Sequence, residues 1–156
     1  MPKVILRIPI GRWVQGTITR MRTAGANDVA TWNRHWFLTY RDLGGKSEKS
    51  GSKGCPRSAA YGLWRLGRIA GGGQQFQNFS LDRVKRDFGK NAAYALLALG
   101  FLENGRNHNA SETLWSEVKR EYRLRFRDRP AKSEQGALKV TYSLFKEGHL
   151  VRSPKQ

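Results

Sequence analysis

Three segments of the chain end alike, and that ending constrains the fold more than any other feature. Ala59-Ala60-Tyr61-Gly62-Leu63 leads to Gly67 and Ile69. Ala92-Ala93-Tyr94-Ala95-Leu96 leads to Gly100 and Leu102. Val140-Thr141-Tyr142-Ser143-Leu144 leads to Gly148 and Leu150. Each places a glycine four residues after a leucine and an aliphatic two residues later. A Schellman-type helix end requires this: glycine takes a positive φ at low steric cost, and the aliphatic folds back on the last turn. The pattern predicts helices stopped at Gly67, Gly100 and Gly148. The copies lie 33 and then 48 residues apart. Helix-end chemistry accounts for the glycines. The shared Tyr-small pair goes beyond it and leaves an internal duplication open.

The rest of the chain supplies further helix signals. Asn27 or Asp28 can cap a helix to about Tyr40, with Val29, Trp32, Trp36, Phe37 and Tyr40 at spacings of three and four. Arg34 and His35 fall off that stripe and are expected to face water. Cys55-Pro56 opens the first repeat helix, since proline suits the first helical position. Ser80 caps a helix over Leu81 to Phe88, and the second repeat helix covers Asn91 to Leu99. Asn109 and Glu112 have capping-box spacing ahead of Leu114, Trp115, Val118 and Tyr122. Pro130 closes that helix, and the third repeat helix spans about Ser133 to Glu147. Two stretches point to strands. Lys3 to Ile10 and Trp13 to Arg20 are rich in β-branched residues around Gly11-Arg12, which predicts a short N-terminal β-hairpin. Gln74 to Phe79 alternates weakly, so Arg68 to Phe79 allows a small second hairpin after Ile69. The expected fold is therefore mainly α: a compact multi-helix domain with a short N-terminal β-hairpin.

A length of 156 residues suits a single domain over 1–156 with a real core. Residues 44–54 contain no apolar side chain before Cys55 and read as a mobile loop. Residues 152–156 read as a frayed tail. The most apolar run, Ala92 to Leu102, is too short to span a bilayer, and the N-terminus makes a poor signal peptide. With one cysteine there is no internal disulfide, and a cytoplasmic location is expected. The single Cys55 and the scattered His35, His108 and His149 give no metal-ligand spacing, and no cofactor motif is complete. Gly45-Lys46-Ser47 matches the end of a phosphate-binding loop, but Tyr40 stands where that motif needs its first glycine.

Charge carries the functional reading. Twenty-nine Lys and Arg stand against twelve Asp and Glu, for a net charge of +17. Such a field draws polyanions. DNA or RNA is the expected partner, with phosphates held by cations and bases stacked on neighbouring aromatics. An acidic protein surface is the alternative. At helical spacing the first repeat aligns Arg57, Tyr61, Arg65 and Arg68, and the third aligns Lys139, Tyr142 and Lys146. The second is apolar nearly all round, which predicts a buried central helix between two outward basic faces. Arg123, Arg125 and Arg127, followed by Arg129, add a cluster, and Lys46, Lys49 and Lys53 add loop contacts. No catalytic constellation is evident. Cys55 at a helix N-terminus is the one candidate for an enzyme, and it lacks a base at recognisable spacing.

The run Lys53-Gly54-Cys55-Pro56-Arg57-Ser58-Ala59, continuing through Gly62-Leu63 to Gly67, resembles a family of small uncharacterised bacterial proteins. That family carries a K-G-C-P-R-x-A-F-x-G-L-C segment, a Leu-Trp helix and a last helix ending in G-L-I. Leu114-Trp115 and Leu144 to Leu150 fall in the matching order, so the resemblance covers about residues 25 to 151. Trp64 replaces the family's second cysteine, Arg65-Leu66 its acidic pair, and Gln135 is displaced from its N-x-Q motif. The resemblance implies a compact mostly helical fold and a mobile-element or cassette origin, and it implies no activity; the alternative function is that of a mobile-element accessory protein binding an acidic protein partner.

Overall fold

The computed structural model describes residues 8–105, 111–131 and 136–152. The backbone falls into two compact units, Met1–Lys53 and Gly54–Gln156, divided within the Gly-Ser-Lys stretch.

The first unit holds α1 (Ile10–Ala24), α2 (Val29–Asp42) and the single turn α3 (Glu48–Gly51). The expected N-terminal hairpin is not formed: Ile10 to Arg20 is helical, Lys3 to Arg7 lie outside the described residues, and no strand occurs among the described residues. The reason is periodicity. Trp13, Val14, Thr17, Ile18 and Met21 are buried at spacings of three and four, forming one apolar stripe. Burying that stripe outweighs the β preference of individual Val, Ile and Thr residues. Pro9 stands just before the helix, where its missing N–H costs nothing, and its carbonyl accepts from Trp13 N.

Against this stripe α2 lays Trp32, Trp36, Thr39 and Tyr40. The Trp13 and Trp36 rings stack at 4.3 Å, and Trp13 Nε1 donates to the Trp36 carbonyl at 2.8 Å. A Cβ on Gly16 would stand 2.7 Å from Thr39 Cγ2, so the missing side chain lets the helices close. Asp28 caps α2 as expected, accepting from Thr31 N at 2.9 Å. Two details differ from the sequence reading. Val29 is 50% exposed rather than on the core stripe. His35 is half-buried rather than facing water, and that burial pushes its imidazole pKa down.

The second unit contains α4 (Gly54–Arg65), α5 (Leu81–Phe88), α6 (Lys90–Glu103), α7 (Ser111–Arg125) and α8 (Ala137–Lys146). Helix α6 packs against each of the other four. It buries Ala92, Ala93, Tyr94, Ala95, Ala98, Leu99 and Leu102, as its all-round apolar sequence predicts. Gly62 lets α4 approach it: a Cβ there would meet that of Ala92 at 2.5 Å. Ser80 caps α5. The capping residue Asn109 and the expected start of α8 at Ser133 lie outside the described residues, as does 153–156 of the tail.

The three glycine endings separate into two kinds. At Gly67, φ is 71°, Gly67 N donates to Trp64 O and Arg68 N to Leu63 O, both at 2.9 Å. At Gly148, φ is 78°, with Gly148 N to Phe145 O and His149 N to Leu144 O. Both are Schellman ends. Gly100 is not a stop. Helix α6 runs through it to Glu103, and the positive φ falls on Gly105. Phe101 and the buried Leu102 continue the apolar sequence there, so extending the helix adds core contacts that ending it would forfeit.

The two genuine ends meet. Ile69 and Leu150, the aliphatic residues after the stops, form an isolated antiparallel bridge. Ala70 N donates to His149 O and Val151 N to Arg68 O, each at 2.7 Å. The hairpin allowed after Ile69 is therefore absent. The backbone beyond Ile69 pairs with the end of α8, and Gln77 N returns to Leu66 O at 2.9 Å.

Candidate nucleic-acid interface

The first predicted basic face turns inward. Tyr61 is 7% exposed, with its ring edge-on to Phe88 at 6.1 Å. Arg65 is half-buried and donates from Nη1 to Tyr61 Oη at 2.9 Å. Arg57 is half-buried near the start of α4. Arg68 is 5% exposed. It donates from Nε to the Val151 carbonyl at 3.0 Å, pairs with Glu103 and lies over the Phe76 ring. Its carbonyl also accepts from Val151 N. Arg68 therefore ties the end of α4 to α6 and to the segment after α8. The cause is the glycine stop: beyond Gly67 the chain leaves helical geometry, so helical spacing no longer tells where residue 68 points. Burial pushes the Arg68 pKa down, and Glu103 partly offsets this.

The third-repeat face is outward in part. Lys139 and Lys146 are exposed and Tyr142 half-buried, with Lys146 Nζ 6.0 Å from the Tyr142 ring centre. Lys46, Lys49 and Lys53 are exposed in the first unit, where Ser47 caps α3 by accepting from Ser50 N at 3.1 Å. Lys46 lines a groove of about 470 Å³ with Phe37, Tyr40, Arg41 and Glu48 among its walls.

The arginine cluster forms the most coherent surface. Arg123, Arg125, Arg127 and Arg129 are all exposed. Arg125 points toward Glu121, its partner at 3.4 Å one turn back. Arg123 lies on a different side, with Ser116, Lys119, Arg120 and Leu124 lining a shallow groove of about 420 Å³. Ser116, Arg120 and Arg123 follow spacings of four and three, so they share one stripe of α7, and the exposed Arg127 follows just beyond the helix end at Arg125. The buried face of α7 carries Leu114, Trp115, Val118 and Tyr122. Glu117 and Glu121 are half-buried and lie off the line of Ser116, Arg120 and Arg123. Lys119 and Arg120 were missed by sequence reading, which began the cluster at Arg123. The signal that finds them is the i−3 and i−4 positions from Arg123, once α7 is known to be helical there.

Nearby cations are neutralised. Asp128 receives the Tyr122 hydroxyl at 2.6 Å and Lys85 Nζ at 2.9 Å, and Lys90 Nζ lies at 3.3 Å. The Tyr122 hydroxyl and the two ammonium groups hold the Asp128 carboxyl well below the usual carboxylate range. Burial, with Asp128 adding to it, pushes the Tyr122 phenol upward. Lys85 and Lys90 thus serve the fold, while the α7 stripe remains for solvent. Cys55 is half-buried. Among the described residues no group of three His, Cys, Asp or Glu gathers as a metal site, and no helix is long and apolar enough to cross a membrane.

The chain belongs to DUF6979, a family of unknown function whose model matches residues 11–151. Membership in an uncharacterised family was the expectation from the Lys53–Gly67 run, and the match reaches further toward the N-terminus than that resemblance did. Comparison with curated proteins and with solved structures returns no match.

Proposed function

We propose that this member of the family binds nucleic acid without catalysing a reaction, through phosphate contacts made by the α7 stripe. One observation carries the reading: Arg120 and Arg123 are exposed on α7 and line one shallow groove with the half-buried Lys119, and the exposed Arg127 follows just beyond the helix. Cations so placed release counterions from a polyanion when they replace them, and that release drives association. Lys139 and Lys146 on α8, and Lys46, Lys49 and Lys53 in the first unit, add to the attraction over a longer range. Arg68, Tyr61 and Arg65 are withdrawn from the contact set because their groups serve the core.

The test is charge reversal. Arg120→Glu with Arg123→Glu should weaken binding of a labelled mixed-sequence oligonucleotide by more than about tenfold in fluorescence anisotropy, with helical circular dichroism unchanged. Unchanged affinity in a folded variant would refute the assignment. Leu124, 74% exposed among these cations, favours a second reading, an acidic protein partner with an apolar contact. A nuclease-resistant complex with one acidic protein, lost in Leu124→Ser while oligonucleotide binding persists, would select that reading.

A further inference from the structure

Resting on the nucleic-acid reading above, we infer that the preferred ligand is a double-stranded nucleic acid held by its phosphates, and that single strands are the weaker ligand. Proteins grip single strands with two devices together, a cationic track for the backbone and aromatic rings on which bases stack. The second device has no exposed ring to use in this chain. All five Trp, five Tyr and seven Phe lie among the described residues, and none of them is exposed. Every Trp is buried, as are Tyr40, Tyr61, Tyr94 and Tyr122.

Several of the half-buried rings are also engaged. The Arg83 guanidinium lies 3.6 Å over Phe79, and Lys85 Nζ lies 4.4 Å over Phe126. On α7 the one aromatic beside the stripe is Trp115, which is buried with Lys119 Nζ 5.7 Å from its ring. The stripe therefore offers cations and an aliphatic side chain, with no ring for a base to stack on. A single strand docking there would have to be ordered without stacking in return. A duplex presents its phosphates already ordered, and its bases need no partner.

The spacing of the cations suits such a ladder. At a rise of about 1.5 Å per residue, Lys119 to Arg123 covers roughly 6 Å of α7, with Arg127 beyond the helix end, against one duplex charge per about 1.7 Å of axis. Engagement of all four cations gives a slope of log K against log salt of about −3.6 on a B-form duplex.

The experiment measures anisotropy of the intact protein with one sequence, about 20 nucleotides long, as single-stranded DNA, duplex DNA and duplex RNA. Both duplexes, or whichever one the groove geometry suits, should bind at least about tenfold tighter than the single strand. The two duplex arms tell DNA from RNA. Arg120→Gln and Arg123→Gln should each reduce the duplex salt slope by about one. Equal or tighter binding of the single strand overturns the duplex inference and leaves the nucleic-acid reading standing. An unchanged slope in both variants overturns the placement on α7. Failure of all three ligands to bind overturns both readings.

Discussion

The three glycines that look equivalent in sequence should respond differently to alanine. At Gly67 a Cβ faces two penalties. A φ of +71° costs an L-residue about 1–2 kcal/mol. The new atom would also stand 2.4 Å from the Gln75 carbonyl oxygen and 2.6 Å from Phe76 Cα. That strand of backbone is held by Gln77 N to Leu66 O, so it cannot simply withdraw, and overpacking of this kind costs roughly 1–3 kcal/mol. Gly67→Ala should therefore lose about 2–5 kcal/mol. At Gly148 only the first penalty applies, since nothing lies within 4 Å of its Cβ position, and the loss should be about 1–2 kcal/mol. At Gly100 the sign reverses. Its backbone is helical and its Cβ position is open, so alanine gains about 0.5–1 kcal/mol of helix propensity. Urea denaturation followed by circular dichroism, with slopes near 1–3 kcal/mol per molar, resolves these differences as midpoint shifts. The predicted order is Gly100→Ala above wild type, then Gly148→Ala, then Gly67→Ala. A destabilised Gly100→Ala would mean that α6 does stop at Gly100, and the argument separating the three ends would be wrong.

Arg68→Met and Glu103→Gln should each destabilise the protein, with Glu103→Gln leaving the nearly buried guanidinium without its counter-charge, a loss on the order of 3 kcal/mol. Arg68→Met should lower the urea midpoint yet leave duplex affinity of the folded protein unchanged; weakened binding at full stability would restore Arg68 to the contact surface. The Asp128 carboxyl sits below its ordinary pKa because of Tyr122 first and then Lys85 and Lys90, so its contribution is present above about pH 4, the unfolded value, and fades as pH falls through the lower folded value. Because the side chain is over a third exposed, the effect is under about 1 kcal/mol. Asp128→Asn should narrow the midpoint gap to wild type between about pH 6 and pH 2.5, and a gap independent of pH would contradict this.

Helices with a cap, a stripe and a stop were legible in the residues. Asp28 and Ser80 begin their helices, Gly67 and Gly148 end theirs, and the apolar run of α6 marks the centre of its unit. Each depends on interactions within about five residues, which sequence order displays directly. The first unit misled because residue preference and periodicity disagree there: Val14, Thr17 and Ile18 favour strands individually, while their spacing with Trp13 and Met21 favours a helix. Packing against Trp36 and Tyr40 decides between them. Gly100 misled because a local stop signal competes with the core contacts of Leu102, and only the assembled helices supply those contacts. The same division governs the candidate site. Composition determined the net charge of +17 on which the proposed attraction for polyanions rests. Tertiary structure decided which cations stay exposed, drawing Arg68 into a pair with Glu103, committing Lys85 and Lys90 to Asp128, and leaving Arg120, Arg123 and Arg127 exposed with Lys119 half-buried beside them. Charge is a sum over residues and survives any folding, whereas exposure depends on partners distant in the chain, such as Val151 for Arg68.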